Sequence, residues 1–346
     1  MHLASLNLPF SINFEVTNIC DLDCIFCSAR LNEGKKNDLN TNNIYYILKE
    51  LSFKGIKSLF ITGGDPFNRD DIVEIIGYAI NLGINVTLST NGIRITHDIA
   101  RKLYDAGLEE IQVSIHGTEK IHDKIVKVNG AYDMAIKGLK ALCDAGLRVT
   151  VASVLTKLNI NNIPNLVYNI SEIGAHYFRV QRLMPHSSYL LSQVVSSEDM
   201  MALTKKLRII ESELKNIIIR IHSSPGLWDY VNWCPEEYDI VHPLCNTCTA
   251  AKLSMGILSN GDCLPCLELR GAEFISGNIL NDDINTIWSS SPMRLLRNTI
   301  PDNYKGKCGD CDYKWSCYSA RCVSYNLSGD IMGDDISCYR IIDRKI

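Results

Sequence analysis

Three cysteines near the start of the chain stand at C-x3-C-x2-C spacing, as Cys20-Asp-Leu-Asp-Cys24-Ile-Phe-Cys27. Thiolates so spaced can hold three corners of a four-iron cluster, whose usual ligation is four cysteines. A local set of three leaves one iron open, and an open iron can bind a substrate or cofactor. A structural zinc site wants four closed ligands, often as C-x2-C pairs, and is the alternative for this triplet. The chain carries 14 cysteines in all: these three, one at position 143, and ten from Cys234 to Cys338. In a small secreted domain that number would suggest disulfides. Here the chain has 346 residues and no basic, apolar export segment at its start, so clustered thiols read as metal ligands. Surplus cysteines can still be plain buried residues.

The elements that must position these thiols follow from a repeated punctuation. Between residues 12 and 181, amphipathic segments end at Gly55, Gly83, Gly107, Gly146 and Gly174, each followed by a short β-rich run. Glycine after a helix supplies the left-handed conformation at no steric cost. The runs are Lys57–Thr62, Asn85–Ser89, Ile111–His116, Arg148–Val154 and Tyr177–Gln181, and Ser11–Val16 makes six. Helices are predicted between them, for example over Asp71–Leu82 and Ala131–Asp144. Alternating strand and helix implies right-handed crossovers and a parallel α/β sheet. Six units are too few for a closed eight-stranded barrel, so a partial (β/α)6 TIM-like barrel is expected. Its active site would lie at the C-terminal strand ends, where the triplet follows the first strand. Beyond Pro185 a long helix over Ser197–Lys215 and an apolar run Ile217–Ile221 follow. From Cys234 on, cysteine, glycine and short segments dominate. A boundary near residue 225 would divide a barrel, 1–225, from a cysteine-rich domain, 226–346.

Composition is ordinary for a globular protein, 46% hydrophobic and 21% charged, with net charge −4. That balance gives no footprint for nucleic acid or an anionic membrane. No apolar run reaches the roughly 20 residues of a membrane span, so a cytoplasmic protein is expected.

The second strand ends in Thr62-Gly63-Gly64-Asp65-Pro66. Two glycines let a backbone approach a ligand, and main-chain carbonyls with the Asp65 carboxylate can accept hydrogen bonds from a ligand ammonium. The plainer reading is a tight turn before a helix capped by Asn68 or Asp70.

Taken together, the triplet and Gly-Gly-Asp-Pro resemble the radical S-adenosylmethionine (SAM) superfamily. The resemblance implies a [4Fe-4S] cluster on Cys20, Cys24 and Cys27, with SAM chelating the open iron. Phe26 matches the aromatic residue that lies near the adenine. Asn13-Phe-Glu-Val-Thr17-Asn18 is similar to the first strand of the family, and Ser89-Thr90-Asn91-Gly92 to a strand end that approaches SAM. Val113-Ser114-Ile115-His116-Gly117 resembles a usual Ser-Leu-Asp-Gly, with His116 in place of aspartate; Ser114 would face SAM or substrate. Ser153 and Asn159 resemble positions near the ribose, and Arg179 or Arg182 would pair the SAM carboxylate. A serine or arginine at a strand end is otherwise structural.

The last third resembles the SPASM domain, the auxiliary-cluster module of peptide-modifying radical SAM enzymes. The resemblance implies two auxiliary [4Fe-4S] clusters. The nearer would use Cys245, Cys248, Cys266 and Cys322; the outer Cys308, Cys311, Cys317 and Cys338. The x4 gap before Cys322 departs from the usual x3, and Cys234 or Cys263 could replace Cys245. Two structural zincs are the alternative for the block. Cys143 is expected in the core. Cys234 and Cys263 are either buried bystanders or hydrogen-atom donors to a substrate radical.

The resemblance implies an enzyme that cleaves SAM reductively to a 5′-deoxyadenosyl radical and abstracts hydrogen from a substrate C–H bond. An external electron donor, of flavodoxin or ferredoxin type, would feed it. It favours a ribosomally made peptide as substrate, modified by crosslinking, oxidation or epimerisation; tetrapyrrole (haem-type) chemistry and then a sugar or other small molecule are the alternatives. Only 19 residues precede Cys20, so a separate leader-peptide recognition protein or direct docking is expected. A non-catalytic iron–sulfur electron carrier would have no use for the Gly-Gly-Asp turn beside a three-cysteine site.

Overall fold

The computed structural model describes residues 6–29, 37–222, 248–312, 314–315, 320–338 and 341. Among these residues, nine strands form one sheet. In chain order they are β1 (Ser11–Glu15), β2 (Ser58–Thr62), β3 (Asn85–Thr90), β4 (Glu110–Ser114), β5 (Arg148–Leu155), β6 (Tyr177–Arg182), β7 (Ile218–His222), β8 (Ser254–Ile257) and β9 (Cys263–Leu264). Their order across the sheet is β7-β6-β5-β4-β3-β2-β1-β8-β9. All neighbouring pairs are parallel except β8 with β9. The six expected strands are present. The apolar run after the long helix adds β7 at one edge, and the C-terminal region adds β8 and β9 beyond β1.

Helices α1 (Thr41–Phe53), α2 (Ile72–Asn81), α3 (His97–Asp105), α4 (Glu119–Val126), α5 (Ala131–Asp144), α6 (Ile163–Ile173), α7 (Ser188–Ser192) and α8 (Ser197–Leu214) connect the strands. Helix α5 illustrates why. Its buried residues Ala131, Ala135, Leu139 and Leu142 recur at helical spacing, and the backbone turns left-handed at Gly146 just after it. The other four punctuating glycines also have positive φ.

Strand alternation divides the sheet into two faces. Phe14, Ile61, Leu88, Ile111, Val113, Val151, Phe178 and Val180 share one face and the helix-covered core, each at most 1% exposed. Burial of such a side chain contributes roughly 1.5–3 kcal/mol. By register, the opposite, concave face carries Asn13, Glu15, Ser89, Gln112, Ser114, Thr150, Arg179 and Arg220. A polar concave face beneath the C-terminal strand ends is the floor of a site.

The sheet does not close: β7 and β9 are its edges. Strand β8 runs parallel to β1, with Ile12 opposite Met255 and Phe14 opposite Ile257, so the cysteine-rich region adds directly to the strand that leads into the triplet. The expected boundary near 225 lies outside the described residues. Among the described residues, no helix is long and apolar enough to cross a membrane.

Candidate active site

The triplet loop leaves β1 and is stitched down on two sides. Gly64 N–H donates to Thr17 O and Asp65 N–H to Ile19 O, both at 2.8 Å. On the other side Asp23 N–H donates to Val126 O and Ile25 N–H to Ile125 O, both at 3.0 Å, at the end of α4. The glycines of the Gly-Gly-Asp turn have a purpose the sequence did not reveal. A Cβ at Gly63 would stand 2.3 Å from Thr17 O, and one at Gly64 2.1 Å from Ile19 O. The missing side chains let the cysteine loop lie against the turn.

Asp65 also acts within the protein. It is 1% exposed. Its oxygens accept from Phe67 N–H (3.0 Å), Thr90 Oγ1 (2.9 Å) and Asn91 N–H (2.6 Å). The carboxylate fastens the end of β2 to the end of β3. It thereby aims Asn91, whose Nδ2 donates to Cys20 Sγ at 3.9 Å. Burial pushes the Cys20 thiol up, Leu22 N–H opposes that, and the nearby Asp65 charge adds to it.

Phe26, next to Cys27, meets the His116 ring edge-on at 4.9 Å. His116 N–H donates to His122 Nδ1 (3.0 Å), and His116 Nδ1 accepts from Val154 N–H (3.3 Å). Both rings are nearly fully buried. Burial, then the neighbouring His122, lowers His116 to about 3. Burial lowers His122 to about 4 against the opposing charge of Asp123. Where a family aspartate would carry charge, this chain holds a neutral imidazole.

Ser114 lies on the concave face, 3.5 Å from Ser89 Oγ. Ser153 does not. Its register partner is Val180, and it is fully buried on the helix-facing side, where Asn159 Nδ2 reaches its hydroxyl at 3.5 Å. The expectation of a ribose contact there is corrected by the parity of β5, whose neighbours Ala152 and Val154 face the cavity. Asn159 bonds His116 O and Val154 O, both at 2.9 Å. Arg182 grips Asp335 at 2.7 Å, tying the end of β6 to the C-terminal loop. Arg179 lies at the third position of β6, deeper than the strand-end loops.

Among the C-terminal thiols, those of Cys266 and Cys322 are within hydrogen-bonding reach of each other, with Cys248 beside them. The Cys266 thiol neighbour and burial push Cys322 well up. Cys308 Sγ accepts from Asp335 N–H (3.4 Å) and Arg321 Nη2 (3.7 Å), and Cys338 N–H donates to Asp335 O (2.9 Å). Arg321 is 3% exposed and lies over the Tyr304 ring, between Cys308 and its chain neighbour Cys322. Cys311 lies three residues after Cys308, just past the single helical turn Gly306–Gly309, and is half-buried. Cys234, Cys245 and Cys317 lie outside the described residues. Cys263 is buried in the sheet core, its thiol pushed up by burial and held on Gly261 O at 3.7 Å. That placement removes it from the candidates for a hydrogen-atom donor in the cavity. Cys143 packs against the core on α5, raised to about 11 by burial. Among the described residues no three His, Cys, Asp or Glu side chains converge as a single metal ion would require.

Two links between the halves escaped sequence reading. Arg270 pairs with Glu15 at the end of β1, its Nη1 donating to Oε2 at 3.1 Å, and each side chain is only 8% exposed. Ser28, just after the triplet, donates to Glu268 Oε1 at 3.1 Å, while Glu268 N–H donates to Cys266 Sγ at 3.5 Å. One residue thus touches both the triplet loop and the C-terminal thiols. Burial raises the Glu268 carboxyl, against Ser28 and Arg270. Only a contact across 240 positions reveals this, and no local motif encodes it.

Three thiols on one pinned loop, with a strand-end amide directed at one sulfur, fit a four-iron cluster held by three cysteines. Known proteins point the same way. Residues 14–167 match the Radical SAM superfamily and residues 245–312 the iron-sulfur cluster-binding SPASM domain. The chain is 27% identical over 347 residues to the AdoMet-dependent heme synthase of Methanosarcina barkeri, covering 97% of this chain and 98% of that one. It is 26% identical to the mycofactocin maturase MftC of Mycobacterium tuberculosis, covering 96% and 83%. In fold it is similar to Streptococcus suis SuiB bound to S-adenosylmethionine, with TM-score 0.80, 22% identity, and 96% and 78% coverage. The chain therefore carries a radical SAM superfamily domain over residues 14–167, of the kind that binds a [4Fe-4S] cluster and SAM, and an iron–sulfur cluster-binding SPASM domain over residues 245–312, and is an enzyme.

Proposed function

We propose that this enzyme matures a ribosomally made peptide by removing hydrogen from a C–H bond and oxidising the resulting substrate radical. When bound, the groups supply a 5′-deoxyadenosyl radical from SAM at the Cys20, Cys24 and Cys27 cluster, and an electron acceptor at two auxiliary clusters. The nearer set is Cys245, Cys248, Cys266 and Cys322; the outer set is Cys308, Cys311, Cys317 and Cys338. A barrel over 1–225 and a SPASM unit over 226–346 complete the reading.

Each residue of the chain has a task. Phe26 offers an apolar face beside His116, and Ser114 a hydroxyl on the cavity floor. Asn91 directs an amide at Cys20. Gly63, Gly64 and Asp65 hold the turn that seats the triplet loop. Glu268, oriented by Ser28 between the triplet loop and Cys266, accepts the proton that the oxidised substrate sheds. The observation that carries this reading is the Ser28–Glu268–Cys266 chain, which joins the triplet loop to the auxiliary thiols through one residue, Glu268, by its carboxylate on one side and its backbone N–H on the other. The match to MftC, called a maturase, supports a peptide. Anaerobic incubation with SAM, dithionite and candidate short precursor peptides should give a product lighter by two hydrogens. Unchanged peptide, with SAM consumed, would refute the substrate.

A second reading, a tetrapyrrole substrate, is favoured by the near end-to-end match to the heme synthase, 97% of this chain against 98% of that one. Turnover of a propionate-bearing porphyrin in the same assay, with the peptide untouched, would establish it. Anaerobic purification with bound flavodoxin or ferredoxin, or with a leader-recognition protein, would identify the electron donor and accessory partner.

A further inference from the structure

We infer that Arg179 and Arg220, on the concave face of β6 and β7, form a recognition site for a carboxylate of the substrate. The two residues are register partners on adjacent parallel strands, so their side chains leave the same face. Arg179 Nη1 donates to Gln112 Oε1 at 3.2 Å, and its buried Nε has no acceptor. The Arg220 guanidinium lies 4.5 Å from the centroid of the Tyr177 ring, on the same face. Among the described residues no carboxylate is within ion-pair distance of either. Glu110, an acidic group whose charge acts on Arg179, is engaged by Thr150 Oγ1 at 3.2 Å and by Arg148 at 3.5 Å. Two guanidinium groups on one floor, one half-buried and incompletely bonded, repel each other unless an anion lies between them. Planar donor forks suit a carboxylate.

The site is joined to the radical region by side chains alone. Gln112 Nε2 donates to Ser89 Oγ at 3.1 Å, and Ser89 stands 3.5 Å from Ser114 at the end of β4. By register Arg179 stands level with Ser114, across Ala152 of β5, so the two arginines continue that layer toward the β7 edge. An anion held there is displaced sideways from the triplet, three strands from β3, which leads to Asn91, and five from β1, which leads to Cys20. This assigns Arg179 to the substrate in place of the methionine carboxylate of SAM. A peptide carries such a group as Asp, Glu or its C-terminus, and a tetrapyrrole carries it as a propionate. The inference rests on the proposed substrate readings only in taking the anion to be a carboxylate.

The test uses the reconstituted holoenzyme and two acid–neutral probe pairs. One pair is acetyl-Gly-Glu-Gly-amide and acetyl-Gly-Gln-Gly-amide; the other is a porphyrin with free propionates and its methyl ester. Binding is measured by equilibrium dialysis with and without saturating SAM. In at least one pair the acid should bind about tenfold or more tightly than its neutral partner, as expected for hydrogen bonds to a charged group. SAM should not displace it, and Arg220→Gln should bring the preference down to about threefold or less. Arg179→Lys, which keeps charge but loses the planar fork, should fall between. Arg220 is exposed, so its variant tests the idea even if Arg179 variants fail to fold. The pair that discriminates identifies the source of the carboxylate. No preference in either pair, displacement of the acid by SAM, or an undiminished preference in Arg220→Gln would overturn the inference. Dithionite-driven SAM cleavage, measured on the same wild-type preparation, tests the radical reading separately.

Discussion

Replacing Gly64 with alanine tests what the Gly-Gly-Asp turn is for. The residue's φ is not left-handed, so alanine adds no backbone strain there. The added methyl would lie 2.1 Å from Ile19 O and 2.4 Å from Ile19 C, closer than the roughly 3 Å floor for such contacts. Neither neighbour is a flexible side chain, so the cysteine loop itself must retreat by about 1 Å. Retreat breaks the bonds from Gly64 N–H to Thr17 O and from Asp65 N–H to Ile19 O, both 2.8 Å. Two lost backbone bonds and the overpacking amount locally to about 2–6 kcal/mol. The sheet core does not pass through this contact, so the fold should survive. Anaerobic reconstitution of Gly64→Ala should therefore give protein with unchanged circular dichroism that lacks the iron of the triplet site. Iron per chain and low-temperature electron paramagnetic resonance are the assays. A variant with a full iron complement that fails only to bind SAM would refute the reasoning, because the glycine would then serve the ligand and not the loop.

Further outcomes follow from the same contacts. Arg270→Met leaves Glu15 buried without its partner and should cost about 3–5 kcal/mol, seen as a lower denaturant midpoint. The double variant with Glu15→Gln should recover most of it; equal losses in the single and double variants would contradict the pairing. His116 and His122 are neutral when folded, with values near 3 and 4, but take up protons in the unfolded chain below about 6.5. Because the unfolded state binds more protons, stability should be full above that pH and fall as pH drops toward about 4. The loss is about 2 kcal/mol per histidine by pH 5. Urea unfolding at pH 7.5 and 5.0 measures it, and His122→Asn, which still offers an acceptor, should flatten the dependence. Glu268→Gln should form 5′-deoxyadenosine at near the wild-type rate but lose product by about 100-fold or more, as removal of a catalytic proton acceptor does. Full product yield would remove Glu268 from the mechanism.

Much of the barrel was legible because its signals are local. Glycines at 55, 83, 107, 146 and 174 have positive φ just after helices, and the runs after them are strands. Helix α4 was not read, since its eight residues carry only three buried ones. Strands β8 and β9 are short, and β8 reaches β1 across some 240 positions, which no periodicity announces. The triplet was legible by spacing. Side-chain direction was less legible, because a motif names a residue but not the way it faces. Ser153 sits on the helix face by the parity of β5, and Asp65 is committed to Phe67, Thr90 and Asn91. Cys263, by contrast, took the buried-bystander reading that the sequence had offered. Glu268 and the Arg179–Arg220 pair carry no motif and emerge only when distant elements are brought together.

The most direct measurement is 5′-deoxyadenosine formation from SAM and dithionite by anaerobically reconstituted protein, alongside its iron content. Wild-type protein should hold about twelve irons, as three four-iron clusters require, and release methionine and 5′-deoxyadenosine. Cys24→Ala should keep about eight irons and release neither product. A Cys24→Ala protein that still cleaves SAM, or a wild-type preparation that binds two zincs and no iron, would contradict the account.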